Sequence, residues 1–330
     1  MNDHTTPPAA AVLRDKNWLP DGVSVTRTEI AGAGNMNLVE RVYLDNGLSL
    51  ILKRSRGWVE KYPDIPAPIE RAGVEAAFYA AIKGTDAGNA MPKHLGYDPA
   101  DATNLYEDLG EGKDGAFIYA GQNLPLADLN AVARWTAALH TIPVTDDMQE
   151  RFINKAMREL NALHIFNFPL DPNNGFTLDD ITPGLQALGD ALKADTNFTQ
   201  IVQHVAARYL AAETQPGDVL LHGDLYPGSW LTTDEGLFLI DPEFCWVGPA
   251  EWDVGVLLAH LRLSGQSAEL GPRFIAHYDR PLDETLMNQI TGIEIMRRLI
   301  GVAQLPLDID LAAKAALLEE TRALVTGHNS

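Results

Sequence analysis

Along the N-terminal third of the chain, apolar and polar residues alternate in short runs; beyond it, apolar residues recur mostly at helical spacing. Val23–Ile30, Leu38–Leu44 and Leu48–Lys53 read as strands. Asp45-Asn46-Gly47, between the last two, predicts a tight hairpin turn in which Asn-Gly supplies positive φ values. A proline-rich loop, Arg56–Pro68, leads to a helix with Pro68 in its first turn and Gly84 at its C-terminal end. Val74, Ala77, Phe78, Ala81 and Ile82 share one face of that helix. Thr103–Leu109 reads as another strand. After it come amphipathic helices over Leu129–His140, Phe152–Leu163, Leu185–Leu192 and Ile201–Ala211. Two short strands, Asp218–Leu221 and Leu237–Ile240, precede helices near Trp252–Leu263, Glu284–Val302 and Leu311–Val325. The order predicts an α+β chain of two lobes. Residues 1–106 form an antiparallel sheet with a helix, residues 107–330 are mainly helical, and the junction lies near Glu107–Gly110.

Composition narrows the partners more than the fold. Of 330 residues, 46% are hydrophobic and 21% charged, an ordinary globular balance. The formal net charge of −20, with no basic run to reverse it, argues against nucleic acid and membrane partners. It would suit a cationic small molecule. The single cysteine, Cys245, permits no internal disulfide and, with no signal-peptide pattern at the N-terminus, points to the cytoplasm. Cys245 itself reads as a buried, inert thiol. The apolar run Val254–Leu261 is too short to span a bilayer. A homodimer is compatible with this composition.

The chemistry concentrates in Leu220–Val254. One strand feeds His222-Gly223-Asp224 and the next feeds Asp241-Pro242-Glu243. The spacing matches a protein-kinase catalytic loop, with Asp224 taking a hydroxyl proton and Ser229 at the usual asparagine position. Two carboxylates two residues apart on an extended segment, Asp241 and Glu243, can both face Mg²⁺. Asp224 or Asp241 alone reads more readily as a turn residue closing a surface strand; their joint spacing, with strands before both, favours the chemical reading. Upstream, Gly32, Gly34, Asn35 and Asn37 lie in a glycine-rich turn between strands, where backbone amides can approach phosphates, with Asn37 replacing a third glycine. Lys53 ends a following strand, where a kinase places its phosphate-binding lysine, and Glu75 on the next helix can pair with it, Glu70 being the nearest competitor. The backbone at Glu107 and Asp108 is a candidate for adenine, or a plain surface turn. Arg297-Arg298 interrupts an apolar helix, so at least one arginine must reach an acid or a ligand.

On these residues the chain resembles the aminoglycoside/choline phosphotransferase-like kinases, and within them the methylthioribose kinases. HGDLYPGSWL resembles their catalytic loop, DPEF their D-x-E metal motif, ERAGVEAAF their lysine-partner helix, and MRRLIGVA the segment with their substrate-binding arginine pair. The resemblance spans roughly residues 30 to 303. It implies a two-lobed protein-kinase-like fold and ATP-dependent, Mg²⁺-dependent phosphorylation of the 1-hydroxyl of 5-methylthioribose in methionine salvage. Asp224 would be the base, Asp241 and Glu243 the metal ligands, Lys53 and Glu75 the ATP-phosphate pair, and Arg297 and Arg298 the sugar or phosphoryl contacts. His222, Ser229 and Asp253 would support the catalytic loop. Tyr226-Pro227 stands where that family is expected to carry a His-Thr type pair, and the connections are compact, which leaves room for a related 5-modified pentose. Two other readings stay open: a kinase for a cationic acceptor such as an aminoglycoside or choline-like amine, and an inactive binding protein on a kinase fold. Arg297-Arg298 argues against the first, and retention of Lys53, Asp224, Asp241 and Glu243 together against the second.

Overall fold

A five-stranded antiparallel sheet carries the N-terminal part of the chain, and a helical body with two small sheets follows it. The structure is a computed structural model and describes residues 8–32, 34, 36–60, 62–211 and 217–327. Helix α1 (Ala9–Asp15) precedes strands β1 (Val25–Ile30), β2 (Asn37–Leu44) and β3 (Ser49–Ser55), and the small hairpin β4 (Trp58–Val59) and β5 (Tyr62–Pro66). Helices α2 (Arg71–Ile82) and α3 (Asp86–Asn89) lead to β6 (His94–Asp98) and β7 (Thr103–Glu107). Then come β8 (Lys113–Asp114), α4 (Leu126–His140), α5 (Asp146–Arg151), α6 (Lys155–Ala162), α7 (Phe168–Leu170), α8 (Leu185–Ala194) and α9 (Thr196–Leu210). Strands β9 (Val219–Leu221), β10 (Trp230–Thr233), β11 (Gly236–Leu239) and β12 (Trp246–Gly248) carry the segment with the two acidic motifs. Helices α10 (Glu251–Leu263), α11 (Leu270–Tyr278), α12 (Glu284–Ile300) and α13 (Leu311–Thr326) follow. None of the described helices is long and apolar enough to cross a membrane.

The large sheet runs in the order β1-β2-β3-β7-β6. Its β2–β3 register sets Val39 opposite Lys53, and β3–β7 sets Lys53 opposite Asn104, so Lys53 lies on a central strand. The β2–β3 connection differs from the tight Asn-Gly turn that the sequence predicts. Gly47 alone takes a positive φ, of 84°. The Asn46 side chain instead accepts the Leu48 amide at 3.0 Å, so the loop is wider and needs one left-handed residue rather than two.

Helix α2 also departs from expectation. Its buried side carries Arg71, Ala72, Glu75, Ala76, Phe78, Tyr79 and Ile82, while Val74, Ala77 and Ala81 are only partly buried. The apolar periodicity misjudged this face because two charged residues point inward, each matched by an opposite charge from another element. Phe78, Tyr79 and Ile82 share one apolar cluster with Tyr106, Trp135, Leu220 and Val254, so the core continues across the junction near residue 107.

The helix expected over Phe152–Leu163 begins only at Lys155. Asn154 takes φ 43° and ψ 44°, and its Nδ2 donates to the Glu243 and Cys245 carbonyls at 3.1 and 3.0 Å. A left-handed asparagine costs little, and the two buried hydrogen bonds hold it there. Strand β6, the β4–β5 hairpin within the Arg56–Pro68 stretch, β10 and helix α11 are further elements that the apolar pattern does not reveal. In β6, Gly96 and an exposed Leu95 break the expected alternation.

Candidate active site

Two strand ends, those that lead to Asp224 and to Asp241, are tied together. His222 Nε2 donates to the Ile240 carbonyl at 2.9 Å, which fixes the end of β9 against the residue before Asp241. Asp253, fully buried in the first turn of α10, accepts the His222 and Gly223 amides at 2.8 and 2.9 Å and receives His140 Nε2 at 3.2 Å. Trp252 Nε1 donates to the Gly223 carbonyl at 3.2 Å. Gly223 takes φ 86°, and a Cβ there would lie 2.0 Å from the Phe244 carbonyl oxygen, so a side chain cannot fit between the two segments. Ser229 Oγ donates to the Asp224 carbonyl at 2.7 Å; this buried hydroxyl braces the loop from within. Asp224 thus projects from a loop fixed at its backbone. Burial lifts its carboxyl above the ordinary value, and the Arg297 and Arg298 charges offset this only in part.

The sheet and α2 bring together the charges expected of the phosphate side. Lys53 Nζ bonds Glu75 Oε2 at 2.6 Å and also Asp241, and Tyr106 Oη donates to Glu75 Oε1 at 2.7 Å. Burial opposes the Lys53 charge, but Asp241 and Glu75 together keep its pKa raised. Burial also pushes the Glu75 carboxyl up to about 7, against the attraction of a lysine that it shares with Asp241. Asp241 takes φ 67°, an uncommon conformation for a non-glycine residue that turns its carboxylate back toward the sheet. Oxygens of Glu75, Asp241 and Glu243 lie within 4.8 Å of one another. Such a cluster of hard oxygen donors fits Mg²⁺; both oxygens of Glu75 are engaged, by Lys53 and Tyr106, whereas only one oxygen each of Asp241 and Glu243 receives a donor among the described residues.

Among the other residues that the sequence singles out, Asn37 is placed differently from its expected role. Asn37 does not present its side chain as part of a phosphate-cradling turn. It is buried at the start of β2, where Nδ2 donates to Glu243 Oε2 at 2.9 Å and Oδ1 accepts from Ser55 and Arg71, both at 3.1 Å. Gly32 takes φ 96°, and at Gly34 a Cβ would come within 2.5 Å of the Asn37 carbonyl oxygen. Asn35 lies outside the described residues. Glu107 pairs with Lys93 at 2.8 Å and its amide donates to the Lys93 carbonyl. Asp108 pairs with Arg41 of β2 at 2.7 Å. Both side chains at the junction are therefore engaged by the protein itself. Cys245 is fully buried, and desolvation holds its thiol far above the usual range.

The arginine pair lies in the last turns of α12 and is buried. Both guanidinium groups reach Glu294 on the same helix, Arg297 Nε at 3.1 Å and Arg298 Nε at 2.7 Å. Arg298, rather than Arg297, comes to 3.9 Å from Asp224 and lies over the Tyr226 ring at 5.6 Å. Burial would lift the Glu294 carboxyl, yet the two arginines hold it far below the usual carboxylate range. His260 Nε2 donates to Glu294 at 3.1 Å while its Nδ1 receives the Tyr119 hydroxyl at 2.7 Å. Burial lowers the His260 pKa to about 4, so the ring is neutral and bridges tyrosine to carboxylate. Glu294, His260, Tyr119, Arg71, Arg41 and Asn154 are site neighbours that motif reading missed. For Glu294 a signal existed: it precedes the arginines by three and four residues, both helical spacings.

Comparison with known proteins agrees with this geometry. The model of the phosphotransferase enzyme family matches residues 32–287. Methylthioribose kinase from Cronobacter sakazakii is 27% identical over 285 residues, covering 82% of this chain and 68% of that protein. The same enzyme from Klebsiella pneumoniae is 30% identical over 254 residues, 73% of this chain and 62% of that protein. Among solved structures, choline kinase LicA from Streptococcus pneumoniae aligns with a TM-score of 0.54 at 12% identity, covering 96% of this chain and 99% of that one. A spectinomycin phosphotransferase in complex with ADP and spectinomycin aligns with a TM-score of 0.53 at 13% identity, covering 97% and 98%. The fold is thus protein-kinase-like, and with the family model spanning most of its length the chain belongs to the phosphotransferase enzyme family, as a small-molecule phosphotransferase acting on a hydroxyl group.

Proposed function

We propose that this enzyme is an ATP- and Mg²⁺-dependent kinase of a pentose, 5-methylthioribose or a related 5-modified ribose. Asp224 accepts the proton of the acceptor hydroxyl, whose oxygen attacks the γ-phosphorus of ATP as the bond to the β–γ bridging oxygen breaks and ADP leaves; a carboxyl raised by burial is a better base for that transfer. Lys53 holds ATP phosphates, with Glu75 keeping its ammonium in place. Asp241 and Glu243 Oε1, to which none of the described residues donates, would hold Mg²⁺, which when bound neutralises charge on the phosphates. Arg298 stands where charge develops on the transferring group or where sugar hydroxyls lie, and Asp253, His222 and Ser229 keep Asp224 in position.

One observation supports the sugar reading above the others: the guanidinium of Arg298 lies 3.9 Å from Asp224 and is anchored there by Glu294. Positive charge beside the base repels an ammonium acceptor and suits a neutral polyol. Similarity to methylthioribose kinases over most of the chain points the same way. The test is an ADP-release screen with 5-methylthioribose, other 5-modified pentoses, ribose, choline and an aminoglycoside. Turnover should be greatest with a 5-modified ribose. Turnover confined to the cationic acceptors would overturn the sugar reading, and no ADP release with any acceptor would favour a binding protein.

A further inference from the structure

Arg71 is a buried charge to which the phosphoryl-transfer scheme assigns no task. It is fully buried at the first residue of α2, so its donors must be met within the protein. Nε donates to Glu243 Oε2 at 2.8 Å. Nη1 donates to the carbonyls of Pro68 at 2.6 Å and Arg56 at 3.2 Å. Nη2 donates to the Met36 carbonyl and to Asn37 Oδ1. Asn37 Nδ2 then donates to the same Glu243 oxygen at 2.9 Å. Two donors from the N-terminal part of the chain thus converge on one carboxylate oxygen, and among the described residues none donates to the other.

The placement has a consequence for both loops. Met36 and Asn37 directly follow the glycine segment, and Glu243 is the second acid of the D-x-E segment. We propose that Arg71 is a positioning residue for the cation site: with Asn37 it holds Glu243 Oε2, so that Oε1 alone is presented to a divalent cation. The same bonds make the position of that oxygen depend on the base of the glycine loop. A planar guanidinium can span these acceptors from one side chain, whereas an ammonium cannot. The arrangement also gives Asn37, which stands where a third glycine was expected, a task that glycine could not perform. This inference rests on the reading of Asp241 and Glu243 as cation ligands.

The experiment measures Mn²⁺ binding by electron paramagnetic resonance in the presence of a non-hydrolysable ATP analogue, for the parent protein, Arg71→Lys and Asn37→Ala. Analogue binding in EDTA is followed separately by calorimetry, and circular dichroism checks folding. Loss of a group that orients a metal ligand typically weakens binding by roughly tenfold to a hundredfold, so Arg71→Lys should lose at least about tenfold in Mn²⁺ affinity. Asn37→Ala should lose less, and analogue affinity in EDTA should stay within about twofold in both. A parent protein with no Mn²⁺ site beyond that of the analogue itself overturns the cation-site reading. A parent that binds Mn²⁺ and folded variants that bind it equally well overturn the role of Arg71 alone. Equal loss of Mn²⁺ and of analogue in EDTA also overturns it, since the pair would then merely support the glycine loop. If Arg71→Lys does not fold, Asn37→Ala decides: unchanged Mn²⁺ affinity refutes the proposal.

Discussion

Replacing Glu294 with glutamine tests whether the arginine pair is held in place by its own helix. The carboxylate is buried, accepts hydrogen bonds from His260 and Arg298 at 3.1 and 2.7 Å, and forms an ion pair with Arg297 Nε at 3.1 Å. Glutamine keeps the shape and one acceptor oxygen but leaves two buried guanidinium groups without their counter-charge. Removing one partner of a buried ion pair costs about 3–5 kcal/mol, and the retained acceptor places the expected loss near the lower end. Against a typical total stability of about 5–15 kcal/mol, that is a melting temperature lower by about 5 °C. Function should suffer more than folding. An unanchored Arg298 can close on Asp224, stabilise its carboxylate and weaken it as a base, so kcat should fall at least about tenfold while the KM for ATP stays near the parent value. Differential scanning calorimetry and a coupled ADP assay read the two effects. Glu320→Gln is the control: its pair with Arg262 is partly exposed and should contribute less than about 1 kcal/mol. An E294Q protein that melts within about 1 °C of the parent and turns over at the parent rate would refute the argument.

Further outcomes follow from the same geometry. Asp241→Ala should abolish metal-dependent binding of the ATP analogue, read by calorimetry with and without Mg²⁺; unchanged binding would remove Asp241 from the site. Arg297→Ala should weaken phosphorylation of the pentose while leaving ATP affinity nearly intact, and equal loss of both would assign it a folding role. Gly223→Ala sets a Cβ against the Phe244 carbonyl at a φ of 86°, and strain of about 1–3 kcal/mol should appear in urea unfolding together with loss of turnover. His260 gives a pH dependence of definite sign. Its folded pKa is near 4 because of burial, whereas the unfolded ring titrates near 6.5. Between those values the unfolded chain binds a proton that the folded one refuses, so stability falls as pH falls from 6.5 toward 4, by about 3 kcal/mol. The stability difference between the parent and His260→Phe, from urea unfolding at pH 6.5, 5.5 and 4.5, should therefore change across this window; a constant difference would contradict the neutral-ring assignment.

The sequence alone determined the reaction class and the chain order of the parts. Strand periodicity placed β1–β3 and the two strands before Asp224 and Asp241, and motif spacing then selected Lys53, Glu75, Asp241 and Glu243, whose side chains the fold gathers around one point. Such spacing is local information, because it needs only the strand on which a residue lies and which end of it. Asn46, Asn37 and the face of α2 were misjudged for the opposite reason. The Asn46 turn depends on where β2 and β3 stop pairing, and Asn37 has its partner Glu243 206 residues away. Helix α2 buries Arg71 and Glu75 because Glu243 and Lys53 arrive from other elements to neutralise them, which no amphipathic pattern within the helix can announce. The same holds for Glu294: its spacing to the arginines is written in the chain, but its link through His260 to Tyr119 and the approach of Arg298 to Asp224 exist only once α10 and α12 pack together. Local sequence sets which groups can do chemistry; long-range packing sets which charges may be buried and which direction each one faces, since a buried charge is tolerable only where the fold supplies its partner.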